Sequence, residues 1–258
     1  MSGPTTLRRT CRGAVLPLLL AAAWEIASRS GGVDPRILPP LETVAATAAR
    51  QLVHGDLLYD LTISLARDLA GFVGGTVLGM AVGTLLGISR AASLLVLPTF
   101  NGLRQIAILA WIPLISLWFG FGDAAKVVFI MISAFTPVVL NTFEGVRSAP
   151  LSLIEVGSAM RFTRWQFMTR LYVPAALPSI LTGVHLALIY AWVAAIGAEY
   201  FMTVGPGIGG LIIAGRERFE MDLVLLGMIL LGVVGFLINR LASLTETRLL
   251  RWSVEISP

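Results

Sequence analysis

The chain has 258 residues, 56% of them hydrophobic and 13% charged, with a net charge of +4. At a mean hydropathy of +0.84 it is too apolar for a soluble globular domain. Eighteen of its 19 basic residues are arginines scattered between apolar runs, which speaks against a nucleic-acid surface, and its one cysteine, Cys11, can form no internal disulfide and fits no metal-ligand spacing.

Several apolar runs reach the ~20 residues that a helix needs to cross a bilayer. Backbone groups in lipid must be bonded internally, and with runs of helical length the expectation is an all-α polytopic membrane protein of six spans. Span 1, residues 14–27, is short and holds Glu25. Arg8, Arg9 and Arg12 before it, with Ala21, Ala22 and Ala23 inside it, also fit a cleaved signal peptide, and topology does not separate the two readings. Residues 28–56 are polar, carry Pro35, Pro39 and Pro40, and read as an external loop with an interfacial helix near 41–53. An amphipathic stretch over 57–68 leads into span 2, residues 69–88. Gly71, Gly75, Gly79, Gly83 and Gly87 place a glycine at every fourth position there, a stripe that lets another helix approach the backbone closely.

Span 3 covers 94–118, with kinks expected at Pro98 and Pro113 and with Arg104 inside. A tight turn at Gly120, Phe121, Gly122 and Asp123 leads to span 4, residues 125–143, kinked near Pro137. A basic stretch over 148–173 precedes span 5, residues 175–200. A glycine-rich loop over 203–222 and span 6, residues 223–241, complete the pass. Six spans put both termini on one side. Arg8, Arg9, Arg12, Arg90, Arg147, Arg161, Arg164, Arg170, Arg240, Arg248 and Arg251 on that side, against Arg29, Arg36, Arg50, Arg67, Lys126, Arg216 and Arg218 on the other, favour a cytoplasmic location for it, since arginine marks cytoplasmic loops.

The basic stretch predicts two short helices, 150–160 and 164–173. Pro150 opens the first. Thr163 and Gln166 form the Thr-x-x-Gln capping box of the second, Phe162 and Phe167 are placed as its hydrophobic staple, and Pro174 is expected to stop it. Aromatic and apolar residues thus lie beside arginines. Such a segment either rests on anionic lipid or docks a cytoplasmic partner, and physics alone does not choose.

The stretch resembles the cytoplasmic loop of bacterial ABC importer permeases, whose motif reads Glu-Ala-Ala, three residues, Gly, and later an apolar-x-Leu-Pro ending. Glu155, Val156 and Gly157 stand at Glu-Ala-Ala, Arg164, Trp165 and Gln166 follow, and the run from Leu171 through Pro174 to Pro178 closes it. "AWIPLISLWFGFGDAAKVVFIMISAFTPVVLNTFEGVRS" (residues 110–148), "LPPLETV" and "AWVAAIGAEY" are similar to the nitrate/sulfonate/taurine/bicarbonate branch, and the likeness spans roughly residues 24–252. The resemblance implies a type I importer transmembrane domain with a cytoplasmic coupling-helix loop, in the bacterial plasma membrane. It implies as partners a cytoplasmic ATPase dimer, a second permease copy and an extracytoplasmic solute-binding protein, besides lipid, and no nucleic acid. It implies a small anionic solute such as a sulfonate, nitrate or bicarbonate, moved by alternating access. The chain itself is then no enzyme and holds no cofactor or metal, because ATP is bound by the partner. The sequence has no GxxxxGK[ST] loop, and its one GxGxxG, Gly205 to Gly210, follows a span rather than a strand.

Glu155, Gly157, Arg161, Arg164, Trp165 and Pro174 are the expected ATPase-coupling residues. One departs from the pattern: the loop glycine falls on Arg161. Either Arg161 takes a left-handed conformation at a cost of about 1 kcal/mol, or the turn is remodelled, with Gly157 as the alternative. Polar groups in spans are costly and raise a functional question. Arg104 pairs with an acid, binds carbonyls freed by Pro98 or Pro113, or faces the pathway and attracts an anion. Glu199 lines the pathway, braces an outer gate or is solvated at the interface. His185 is either a pathway residue or a hydrogen-bonded core residue. An ion-gradient-driven secondary transporter, an intramembrane hydrolase and an ABC permease for a non-anionic solute are the competing readings. The expected organisation is one permease domain over 1–258, with an N-terminal span and external segment (1–56), a core (57–245) containing the coupling loop (148–174), and a cytoplasmic tail (246–258).

Overall fold

Long apolar runs leave the backbone one way to satisfy its own hydrogen bonds, and the computed structural model is helical in all its regular elements. It describes residues 5–30, 34, 36–202 and 205–249, and no strand occurs among them. The helices are α1 (Thr5–Arg29), α2 (Leu41–His54), α3 (Leu57–Ile88), α4 (Arg90–Leu103), α5 (Ile112–Phe119), α6 (Asp123–Arg147), α7 (Leu151–Ala159), α8 (Arg164–Phe167), α9 (Val173–Phe201), α10 (Ile208–Glu217) and α11 (Met221–Leu249). Four stretches are long and apolar enough to cross a membrane: Leu57–Ile88, Asp123–Arg147, Arg164–Phe201 and Met221–Leu244.

Span 3 is not the kinked but continuous helix expected from 94–118. It consists of α4, a 3₁₀ turn over Ile108–Trp111 and α5, bent by 93°. The break lies at Arg104 to Ala107, between the two prolines. Pro98 is absorbed inside α4, and Pro113 sits in the first turn of α5, where its missing N–H costs nothing. The amides of Gln105 and Ile106 turn back onto the carbonyls of Gly102 and Leu103. Up to five crossings are thus present among the described residues, the fifth being this broken span. The 203–222 segment is likewise not all loop, since Ile208–Glu217 is helical. Past Leu249 the expected tail lies outside the described residues, as do the side chains of Arg8, Arg9 and Arg12.

The chain divides into two compact units. One comprises residues 1–58 with 211–230, the other 59–210 with 231–258, so 211–230 groups with the N-terminal segment instead of with the expected 57–245 core. In the first unit, Trp24 Nε1 donates to Pro39 O and Thr47 Oγ1 donates to Asp222 Oδ2, tying α2 to the start of α11. In the second, α6 packs along α9. Phe129, Ile130, Ala134 and Val138 of α6 meet Ala187, Ala191, Ala195 and Ala198 of α9, with Ile115 of α5 completing the core. Small residues make this approach possible: a methyl on Gly183 would lie 2.6 Å from Asn141 Cβ. The glycine stripe of α3 also lies against α6. Methyls on Gly71, Gly79 and Gly87 would meet Ile130, Val138 and Val146 at 2.6–2.7 Å, and those on Gly75 and Gly83 would meet the carbonyls of Met131 and Val139 at 2.5 and 2.6 Å.

Candidate functional site

The loop between α6 and α9 folds from its own short-range signals. α7 ends in a Schellman motif: the Phe162 amide donates to Gly157 O (2.9 Å) and the Arg161 amide to Ser158 O (3.0 Å). Arg161 occupies the left-handed position of this motif, with φ 54°. Of the two expected solutions it is therefore the arginine that carries the turn, and Gly157 serves in a different way. Gly157 is buried, its carbonyl closes the motif, and a Cβ there would lie 2.9 Å from the Phe167 ring and 3.3 Å from Phe162. Thr163 and Gln166 make the capping box in both directions (3.3 and 2.8 Å). The Phe162 and Phe167 rings meet edge-on with centroids 5.8 Å apart, and Arg170 lies over Phe162.

Pro174 does not stop the second helix. α8 passes through a π-helical turn, Met168–Tyr172, directly into α9, and Pro174 falls in the first turn after it. The wider turn shifts the hydrogen-bond register where the proline lacks an amide. Glu155, Arg161, Arg164 and Pro174 are exposed. Beside them stand Leu151, Val156, Met160 and Trp165, the last 75% exposed. The loop thus presents an apolar surface rimmed by arginines.

Arg104 caps the C-terminal end of α4 at the break of span 3 and is exposed, rather than buried at mid-span. It borders a cavity of about 670 Å³ with Gln105, Ser133, Thr136, Asn141 and Tyr190, walled by Phe100, Trp111 and Phe135. Its Nε donates to Asn101 Oδ1 (3.0 Å), and no other hydrogen bond of its guanidinium and no acidic partner occurs among the described residues. Neither the ion-pair reading nor the proline-carbonyl reading matches that geometry.

Glu199 lines neither this cavity nor a solvated interface. It is 3% exposed and paired with Arg67, itself 5% exposed, at 2.9 Å. Ser64 Oγ donates to its carboxylate (2.7 and 2.9 Å), and the Gly209 amide donates to Oε2 (2.9 Å). Arg67 also bridges to Asp123 and donates to Pro206 O (2.7 Å). Asp60 accepts from the Gly207 amide and Ser64 from the Ile208 amide. The Gly205 to Gly210 segment therefore wraps a carboxylate of its own chain at the start of α10. Its glycines are needed for that approach: Gly207 has φ 146°, and a Cβ on Gly207 or Gly209 would lie 2.6 or 2.5 Å from Glu199. Arg67 counts in the sequence only as a basic residue of an external segment and is not among the expected site residues, although Asp60, Ser64 and Arg67 form a polar stripe at helical spacing in the 57–68 stretch.

His185 lines a different cavity, and its Nε2 lies 2.8 Å from Asn239 Oδ1. The structure thus separates the three expected pathway residues, and only Arg104 faces the cavity beside α6.

The family model described as "Binding-protein-dependent transport system inner membrane component" matches residues 75–251. A permease protein of Bacillus subtilis named for aliphatic sulfonates transport is 36% identical over 93% of this chain and 87% of its own length. The Escherichia coli protein of the same name is 34% identical over 92% of this chain and 90% of its own. The bicarbonate transport system permease protein of Synechococcus elongatus is 31% identical over 97% of this chain and 94% of its own. Among solved structures, the inward-facing MetNI methionine ABC transporter shares the fold, with a TM-score of 0.55 at 21% identity over 75% of this chain and 97% of that one. The chain belongs to the binding-protein-dependent transport system inner membrane component family and is a multi-pass membrane permease of an ABC importer.

Proposed function

We propose that this permease moves a small anionic solute through the Arg104 cavity, driven by a separate ATPase dimer seated on the α7–α8 loop. The observation that carries this reading is a shared set of helices. α6 enters the loop and α9 leaves it, and the same two helices line the cavity through Ser133, Thr136 and Asn141 on one side and Tyr190 on the other. The π turn joins α8 to α9 in one helical stretch of 38 residues, Arg164–Phe201. A displacement of α8 is therefore passed to the cavity wall along a continuous helix.

The anion preference rests on the guanidinium at the helix break. Its planar fork matches a sulfonate, nitrate or bicarbonate, and most of that fork is uncommitted. The aromatic wall around it leaves room for an organic body. Relatives named for sulfonates and for bicarbonate both carry anionic solutes in their names. In the complete importer a second permease copy forms the other half of the pathway, a binding protein delivers solute from outside, and the coupling loop lies in the cytoplasm; with α1 as a sixth crossing beside the five, both termini lie there too. ATP is bound and hydrolysed by the partner.

The test is ATP-dependent uptake of labelled alkanesulfonate, nitrate and bicarbonate into vesicles holding the permease with its ATPase and binding protein. Arg104→Gln should retain assembly and lose most anion uptake, and Arg104→Lys should restore part of it. Normal uptake by the Gln variant would remove the anion role. Uptake without the ATPase would favour a secondary transporter.

A further inference from the structure

A second cavity, of about 490 Å³, lies between α3, α9 and α11 and shares no lining residue with the Arg104 cavity. Its volume is in the range of ligand sites. Its wall is apolar, with Leu65, Leu69, Phe72, Leu188, Ile238 and Leu241, and carries two ionisable groups, Asp68 and His185. Asp68 is 4% exposed, its Oδ1 is buried without a hydrogen-bond partner, and no ion pair to it occurs among the described residues. A buried carboxylate left in this way is costly unless it takes up a proton or meets a donor from outside the chain.

The shape of the cavity narrows the choice. Ser64 and Glu199 are hydrogen-bonded to each other and so mark a common level on α3 and α9. Asp68 lies four residues along α3 from that level, and His185 lies fourteen residues back along the antiparallel α9. At 1.5 Å per residue these are depths of about 6 and 21 Å, a separation of about 15 Å. That is half of the ~30 Å hydrocarbon core, the depth of one leaflet. The charge cluster of Arg67, Glu199 and Asp123 sits at the shallow end, where a membrane boundary would leave it least costly.

We propose that this cavity binds one membrane lipid with a primary-amine headgroup, its ammonium at Asp68 and one acyl chain running toward His185. An ammonium supplies both the positive charge and the N–H donors that the carboxylate lacks. A phosphatidylglycerol headgroup lacks the charge, and a phosphatidylcholine headgroup has the charge without the N–H. The apolar wall accounts for the chain, which no small water-soluble amine would fill. The proposal requires only that the chain spans a membrane, and it is independent of the solute and of the coupling partner.

The full chain, purified in detergent and titrated with dioleoyl phosphatidylethanolamine, phosphatidylglycerol and phosphatidylcholine, is read by native mass spectrometry. One phosphatidylethanolamine per chain should bind about tenfold more tightly than either of the others, the scale of one charge-assisted hydrogen bond. Asp68→Asn should abolish the preference, and Leu188→Trp, which fills the cavity, should weaken phosphatidylethanolamine binding. Equal affinities for the three lipids in the unaltered chain would overturn the proposal whether or not either variant folds. So would a preference that survives Asp68→Asn. In a Cys11→Ser background, a disulfide between two copies of Leu188→Cys would show that a second chain covers the cavity, which also overturns it.

Discussion

Placing a single methyl group on Gly83 tests whether the glycine stripe of α3 is a packing device. The new Cβ would lie 2.6 Å from the Val139 carbonyl oxygen and 2.7 Å from Thr142 Cβ. Neither neighbour is the free end of a flexible side chain. Ordinary contact needs about 3.5 Å, so α3 and α6 must part locally by nearly 1 Å. A gap of that size forfeits a quarter to a half of each dispersion contact beside it. Overpacking of this kind costs roughly 1–3 kcal/mol, against which alanine recovers up to about 1 kcal/mol of helix propensity. The net expectation for Gly83→Ala is a loss of about 1–2 kcal/mol.

Gly232 in α11 supplies the control, since nothing lies within 4 Å of a Cβ built there. Gly232→Ala keeps the propensity gain without the clash and should be neutral or slightly stabilising. Thermal denaturation in detergent, followed by the fraction remaining monodisperse on size exclusion, ranks the two variants against the parent. A Gly83→Ala chain as heat-stable as Gly232→Ala would refute the close-packing argument.

Arg161→Gly removes a side chain from a left-handed position that costs about 1 kcal/mol, offset in part by the greater freedom of glycine in the unfolded chain. Protease resistance of the loop should be unchanged or higher and uptake should be retained, whereas a severe loss of uptake would assign the guanidinium its own contact. Trp165→Ala removes the most prominent apolar group of the loop and should weaken ATPase pull-down by more than ~1 kcal/mol, about fivefold or more, with membrane insertion intact. Arg67→Ala leaves the Glu199 carboxylate buried without its cation and should destabilise the chain by about 3–5 kcal/mol. Adding Glu199→Gln should recover part of that loss, and a double variant no better than the single one would show that the pair does not act as a unit.

Local signals were the most legible part of the fold. The capping box at Thr163 and the staple of Phe162 and Phe167 involve residues a few positions apart, so the sequence contains both halves of each interaction. The glycine stripe was legible as one half of a contact. A period of four announces that some helix approaches, but nothing along α3 identifies α6 as that helix. The reading failed at Pro174 because the stop rule assumes α-type bonding, and a π turn changes which carbonyl the missing amide would have used. It failed in span 3 for a related reason. Arg104 and Gln105 interrupt an apolar run whose length alone satisfies a crossing, while the 93° bend divides that run into two short helices around an exposed arginine.

The polar groups within the spans show the same boundary from the other side. Arg104, Glu199 and His185 were identifiable as costly groups in apolar sequence, but cost does not reveal who compensates it. For Glu199 the answer lies in Arg67 and Ser64, more than 130 residues earlier, and in the Gly209 amide of the glycine-rich segment after α9. A GxGxxG pattern ordinarily frees amides to approach an anion. Here the anion is a side chain of the protein itself, held by the Gly209 amide while Arg67 holds the Pro206 carbonyl. The pattern was therefore informative about chemistry and silent about the ligand. Read together with the Asp60, Ser64 and Arg67 stripe, it would have pointed to a clamp between the start of α3 and the end of α9. Such a clamp fixes one end of α9, while the loop that begins at α7 lies at the other end. If a partner pushes the loop as proposed, a helix held at the other end must bend or pivot along its length, and Tyr190 of the Arg104 cavity lies on it in between.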